Sequence, residues 1–220
     1  MKRIKAIFIV LWIILFSVSM NLSAQEKYYE RPDEAIQKAK SDLMEILKKG
    51  EQFKFKLSSD QLEKSQAMAN LKYYQVDFDA LLENEDIGSM RELKPGLKYY
   101  VAPLGMQGNI VTLVEINNFK QGWGVVGMMN NSIGDELQQL PREFRMEKLK
   151  SLTIYEVPNI NAMLYVFNDG DKEMVFTNYS DRFSMKQAMP IDEVFKVIKP
   201  DAEWFMRQHG EKLKEGKLVK

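Results

Sequence analysis

Asn168-Asp169-Gly170-Asp171 stands between two apolar runs, Ala162 to Phe167 and Met174 to Thr177, and no other stretch of the chain constrains the fold as tightly. Asn, Asp and Gly tolerate the positive φ of a tight turn, so the runs are predicted to pair as adjacent antiparallel strands with Gly170 at positive φ. Ala162, Leu164 and Val166 alternate with Met163, Tyr165 and Phe167, so the first strand is apolar on both faces. Such a strand is covered on both sides, or one face meets a partner.

Leu97 to Val101, Ile110 to Ile116 and Trp123 to Met129 read as three further strands, most simply a meander, and Leu152 to Val157 as another. Over residues 71 to 79, Tyr74, Val76 and Phe78 alternate with Tyr73, Gln75 and Asp77, the pattern of a half-buried strand. Helical spacing is clearest after Pro32, where Ile36, Ala39, Leu43, Ile46 and Leu47 recur until Gly50. Phe53, Phe55 and Leu57 alternate as a short strand does, and Ser58 with Gln61 resembles a capping box for a helix through Met68. Gly88, Pro95 and Gly96 break any long element over residues 80 to 96. Pro141 divides residues 134 to 149 into two short helices or a kinked one, and Pro190 and Pro200 each open a helix. The fold expected is α+β: an antiparallel sheet of about six to seven strands with helices on one face. Tyr99-x-Val101-x-Pro103 and Tyr155-x-Val157-Pro158 each precede two strands and a helical stretch. A degenerate duplication, with halves 32–149 and 150–210, accounts for that likeness.

The N-terminus has a separate logic. Lys2, Arg3 and Lys5 precede an apolar run from Ala6 to Phe16, and Ser17 to Ala24 turns small and polar. That is the layout of a secretory signal peptide, 1–24, with Ser19 as the alternative cleavage point. An uncleaved anchor, Ala6 to Ala24, is the competing reading. Cleavage after Ala24 removes three of the 31 basic residues and none of the 31 acidic ones, leaving a formal charge of −3 on 196 residues. A lead at 25–31, a single domain at 32–210 and a Lys-rich charged tail at 211–220 then remain. This balance does not mark a nucleic-acid binder, and no stable membrane insertion is expected after cleavage.

Zero cysteines exclude disulfides, cysteine nucleophiles and thiolate metal sites. The single histidine, His209, is read as lying in the last turn of a helix, where a cation is favourable without catalysis. No H-E-x-x-H or G-x-S-x-G pattern occurs, no calcium loop surrounds the turn aspartates, and most of the methionines fall singly at core-like positions, so no cofactor or metal is expected. Asp77 with Asp79 and Asp169 with Asp171 are read as solvated-face and turn residues.

Aromatic residues carry what remains. Tyr73, Tyr99, Trp123 and Tyr165 lie on predicted strands, where amphipathic rings fill cores or line grooves for peptides and glycans. Trp123, between Gly122 and Gly124, is placed where a ring can be exposed. These four are the candidate ligand-binding residues of a non-catalytic exported protein, periplasmic or secreted and bacterial, whose partner is a peptide, a glycan or another envelope protein. A carboxylate-based hydrolase is the alternative, since two carboxylates suffice for glycoside hydrolysis. A membrane-tethered assembly or scaffold factor follows if the N-terminal segment is retained.

Overall fold

The computed structural model describes residues 27–49, 57–128 and 131–214. The segment expected to direct export, the run around Phe53 and Phe55, and the tail beyond Lys214 lie outside them. In chain order the elements are α1 (Pro32–Lys48), α2 (Ser59–Lys64), β1 (Gln66–Ala67), β2 (Leu71–Gln75) and α3 (Phe78–Glu83). After a short 3-10 turn at Met90–Leu93 come β3 (Gly96–Met106), β4 (Asn109–Phe119), β5 (Gly122–Met128), α4 (Asn131–Gln139) and α5 (Arg142–Glu147). A second such turn at Leu149–Ser151 leads to β6 (Thr153–Val157), β7 (Ala162–Asp169), β8 (Lys172–Phe176), β9 (Met189–Pro190) and α6 (Ile191–Lys214).

The class is α+β, and the strands form one mixed, mostly antiparallel sheet in the order β5-β4-β3-β2-β6-β7-β8-β9, with β1 beside β3. The expected hairpin is present: Tyr165 pairs with Phe176 and Asp169 with Lys172, and Gly170 has φ +62°. The meander β3-β4-β5 and the division at Pro141 also match. One junction joins the two antiparallel groups, the parallel pairing of β2 with β6 from Lys72 with Thr153 to Gln75 with Glu156.

Three local expectations are corrected. The strand expected over 71–79 ends at Gln75, because Asp77 is an N-cap, accepting from the backbone N–H of Asp79 (2.9 Å) and Ala80 (3.1 Å). Asp77 and Asp79 therefore share no strand face. The capping box at Ser58 forms, but its helix stops at Lys64 instead of Met68. Lys40 donates to the carbonyls of Glu63 and Ser65 at that helix end, and Gln66 and Ala67 pair with β3 instead. Finally, Pro190 lies in β9, and one helix, α6, runs through Pro200. Val194, Phe195, Ile198 and Ala202 form an unbroken buried stripe across the proline, and burying it outweighs the lost hydrogen bond. His209 consequently sits inside α6, its ring 4.9 Å from that of Phe205, and not in a last turn.

Helices cover both faces of the sheet, not the one face expected. On the first face, Leu137 of α4, Leu140 just beyond it and Phe144 of α5 pack on Leu71, Tyr73, Val101, Leu113, Ile154, Tyr165 and Phe167. On the second, α1 covers Ala102, Leu104, Val114 and Ile116, and α3 with α6 covers Leu164, Val166 and Val175. The alternation in β7 is what demands this, since odd and even residues from 162 to 167 feed opposite cores.

Candidate functional site

Because Leu71, Tyr73 and Gln75 of β2 point one way and Tyr74 the other, the central strand sorts the tyrosines by parity. Tyr73 lies opposite Tyr99 in register, and their rings stack with centroids 4.5 Å apart. The Tyr73 hydroxyl donates to Glu156 Oε2 at 3.1 Å and lies 3.9 Å from the Met163 sulfur. Tyr165, fully buried, donates to Glu136 Oε2 at 2.7 Å and so ties α4 to the sheet. On the second face the same logic stacks Tyr74 on Tyr155, 5.3 Å apart.

Three of the four predicted aromatics therefore share the first face, together with the carboxylates Glu115, Glu136 and Glu156. Burial divides their roles. Tyr165 and Tyr73 are buried, whereas Tyr99, Glu115, Glu156 and Met163 are partly exposed. Solvent reaches Tyr99 and the glutamates on this face, whereas Tyr73 and Tyr165 are covered.

Trp123 stands apart on the second face, half-buried, its ring 5.0 Å from that of Tyr100. The flanking glycines do not bare it to solvent. They admit neighbours: Tyr29 exchanges two backbone hydrogen bonds with Trp123, and a Cβ on Gly122 (φ +126°) would lie 2.5 Å from the Tyr29 carbonyl oxygen. On Gly124 a Cβ would meet the Phe119 ring at 3.1 Å.

The electrostatics make the first face a set of neutral donors beside acids. Burial, then Glu115, pushes the Tyr99 hydroxyl up to about 12. Burial, then Glu156, raises Tyr73, and burial, then Glu136, raises Tyr165. None of the three ionises near neutral pH, so they act as platform and hydrogen-bond groups, not as bases or nucleophiles. Glu115 is raised by burial and, among the described residues, forms no hydrogen bond or ion pair.

Reading the strands for aromatics alone missed Glu115 and Glu156. The available signal was parity: Glu115 shares a face with Leu113, and Glu156 with Ile154, where an inward-facing position holds an acid. Among the described residues no group of three or more His, Cys, Asp or Glu is arranged to hold a metal ion, and no helix is long and apolar enough to cross a membrane. Comparison with family models, curated proteins and solved structures gives no match.

Proposed function

We propose that this is an exported, non-catalytic protein that captures a partner on the first sheet face around Tyr99. The observation that carries this reading is the grouping of a half-exposed ring, stacked on a buried one, with the half-buried and unpartnered Glu115 and with Glu156. Ionised carboxylates only accept, so the face suits a partner rich in donors: a peptide with basic side chains, the hydroxyls of a glycan, or a matching surface on another envelope protein. Export rests on the basic, apolar and polar succession of residues 2 to 24.

The test is capture by immobilised protein from the envelope fraction of the native host, beside peptide and glycan arrays, with thermal melting of each variant. Tyr99→Ala is expected to weaken capture roughly thirtyfold, the effect of losing about 2 kcal/mol at the centre of a binding patch. Capture unchanged by Tyr99→Ala overturns the reading.

The carboxylate-based hydrolase has one observation in its favour, since a glutamate raised by burial is what a general acid requires. Turnover of a glycoside that Glu115→Gln abolishes, at unchanged binding, selects it over pure capture.

A further inference from the structure

The sheet ends in two unlike edges. β9 is two residues long and closes on Pro190, which has no backbone N–H to offer, so that edge is blunted against further pairing. β5, at the opposite end, has seven residues from Gly122 to Met128, with no charge and no proline. Its pairing with β4 contains a bulge whose extra residue is Val126, since Ile116 pairs with Val125 and Glu115 with Gly127. Phe119, at the end of β4, and Val125, Val126 and Met128 are 37–49% exposed, four of the seven large apolar side chains that stand exposed among the described residues. Scattered singly such residues mean little, but grouped along one unprotected edge they mark a contact surface.

The chain itself adds one residue to this edge. Tyr29 forms an antiparallel bridge with Trp123, so close that a Cβ on Gly122 would lie 2.5 Å from the Tyr29 carbonyl oxygen. There the contact stops: Lys27, opposite Val125 in that register, makes no backbone bond to it, and among the described residues nothing pairs with the outer side of Val125 to Met128. Between the lead and the strand lies a crevice of about 350 Å³, walled by Tyr28, Phe119, Val125 and Val126. Size decides what fits. The four exposed side chains offer on the order of 300 Å², well short of the ~800 Å² that each partner contributes to a stable dimer. A single added strand needs less, because main-chain hydrogen bonds supply its affinity and only alternate side chains have to be seated. We infer that the outer edge of β5, from Val125 to Met128, binds an extended peptide segment as an added strand, with apolar side chains at alternate positions in the crevice beside Phe119 and Val126. This edge is separate from the Tyr99 face and does not depend on it.

The test titrates the isotope-labelled protein with the peptide acetyl-Glu-Thr-Val-Thr-Val-Thr-Lys-amide and follows backbone amide shifts. The amides of Val125 to Met128 are expected to shift. Alternate amides of an extended strand face opposite edges, so methylating the valine nitrogens blocks one edge of the peptide and methylating the threonine nitrogens blocks the other. With the valines seated in the apolar crevice, one methylated peptide should bind at least tenfold more weakly and the other nearly as well as the parent peptide. Val126→Lys, at a position already half exposed, should melt with the parent protein and bind at least fivefold more weakly, as lysine on a sheet edge opposes added strands. Tyr99→Ala should bind as the parent does. Shifts confined to other strands, equal affinities for the two methylated peptides, unchanged binding in Val126→Lys or a matching loss in Tyr99→Ala would each overturn the assignment. A concentration-dependent dimer that protects the Val125 to Met128 amides would give the edge to a second copy and overturn it as well.

Discussion

Arg145 is buried, only 7% exposed, with no carboxylate partner among the described residues, and its removal tests how the first sheet face is roofed. From α5 its Nε donates to the Gly108 carbonyl in the β3-β4 turn at 2.8 Å, and its Nη1 donates to the carbonyls of Gln138 and Leu140 at the end of α4. One guanidinium thus closes the hairpin turn onto the helix end that lies over Leu113 and Tyr165. Arg145→Met keeps most of the aliphatic packing and removes three hydrogen bonds from a charged donor, each ~1.5–3 kcal/mol. Opposing that loss is relief from burying a cation, a cost visible in the lowering of the Arg145 pKa by burial and then by Arg142. Water can also reach Gln138, which is only partly buried. The balance is a net loss of about 3 kcal/mol, a sizeable share of the ~5–15 kcal/mol typical of a folded chain. For a domain of this length that lowers the melting temperature by roughly 6–12 °C. Urea denaturation followed by circular dichroism measures it, with an unchanged m value showing that the two-state comparison holds. Arg145→Lys should recover little, because an ammonium lacks the planar fork that reaches all three carbonyls. A loss below about 1 kcal/mol for Arg145→Met would refute the clamp.

Further outcomes can be checked independently. Trp123→Ala, which removes a half-buried ring from the second face, should cost about 2 kcal/mol of stability in a thermal melt while leaving binding at Tyr99 unchanged. Tyr99 should ionise near 12, and not at its ordinary value of 10, when phenolate absorbance is followed. Its folded pKa lies above the unfolded one, so the folded state holds the proton longer and stability should fall as pH rises between those values. Glu115 has the same sign at acid pH: its raised pKa makes stability fall as pH rises through the carboxylate range, so Glu115→Gln should stabilise the protein at pH 7 and make no difference at pH 3. Gly170→Ala should lose about 1 kcal/mol, from backbone conformation alone, because a Cβ there meets nothing within 4 Å.

What was legible in the sequence is what local chemistry decides. The turn at Asn168 to Asp171 forced one hairpin, Pro32 and a 3.6-residue apolar period forced α1, and Pro141 separated α4 from α5, since each signal acts within a few residues of itself. Strand parity already assigned Tyr73 and Tyr74 to opposite faces. The tertiary structure decided the rest. The parallel pairing of β2 with β6 joins residues about eighty positions apart and leaves no local trace, yet it brings Tyr73 to Glu156 and Met163. Which helices cover each face was also decided at long range: both sides of β7 are apolar, and α4 with α5 on one side and α3 with α6 on the other supply the cover. Where signals conflicted, the larger gain won: a buried apolar stripe carried α6 through Pro200, while β2 yielded to a local cap, an aspartate that satisfies two backbone donors at once.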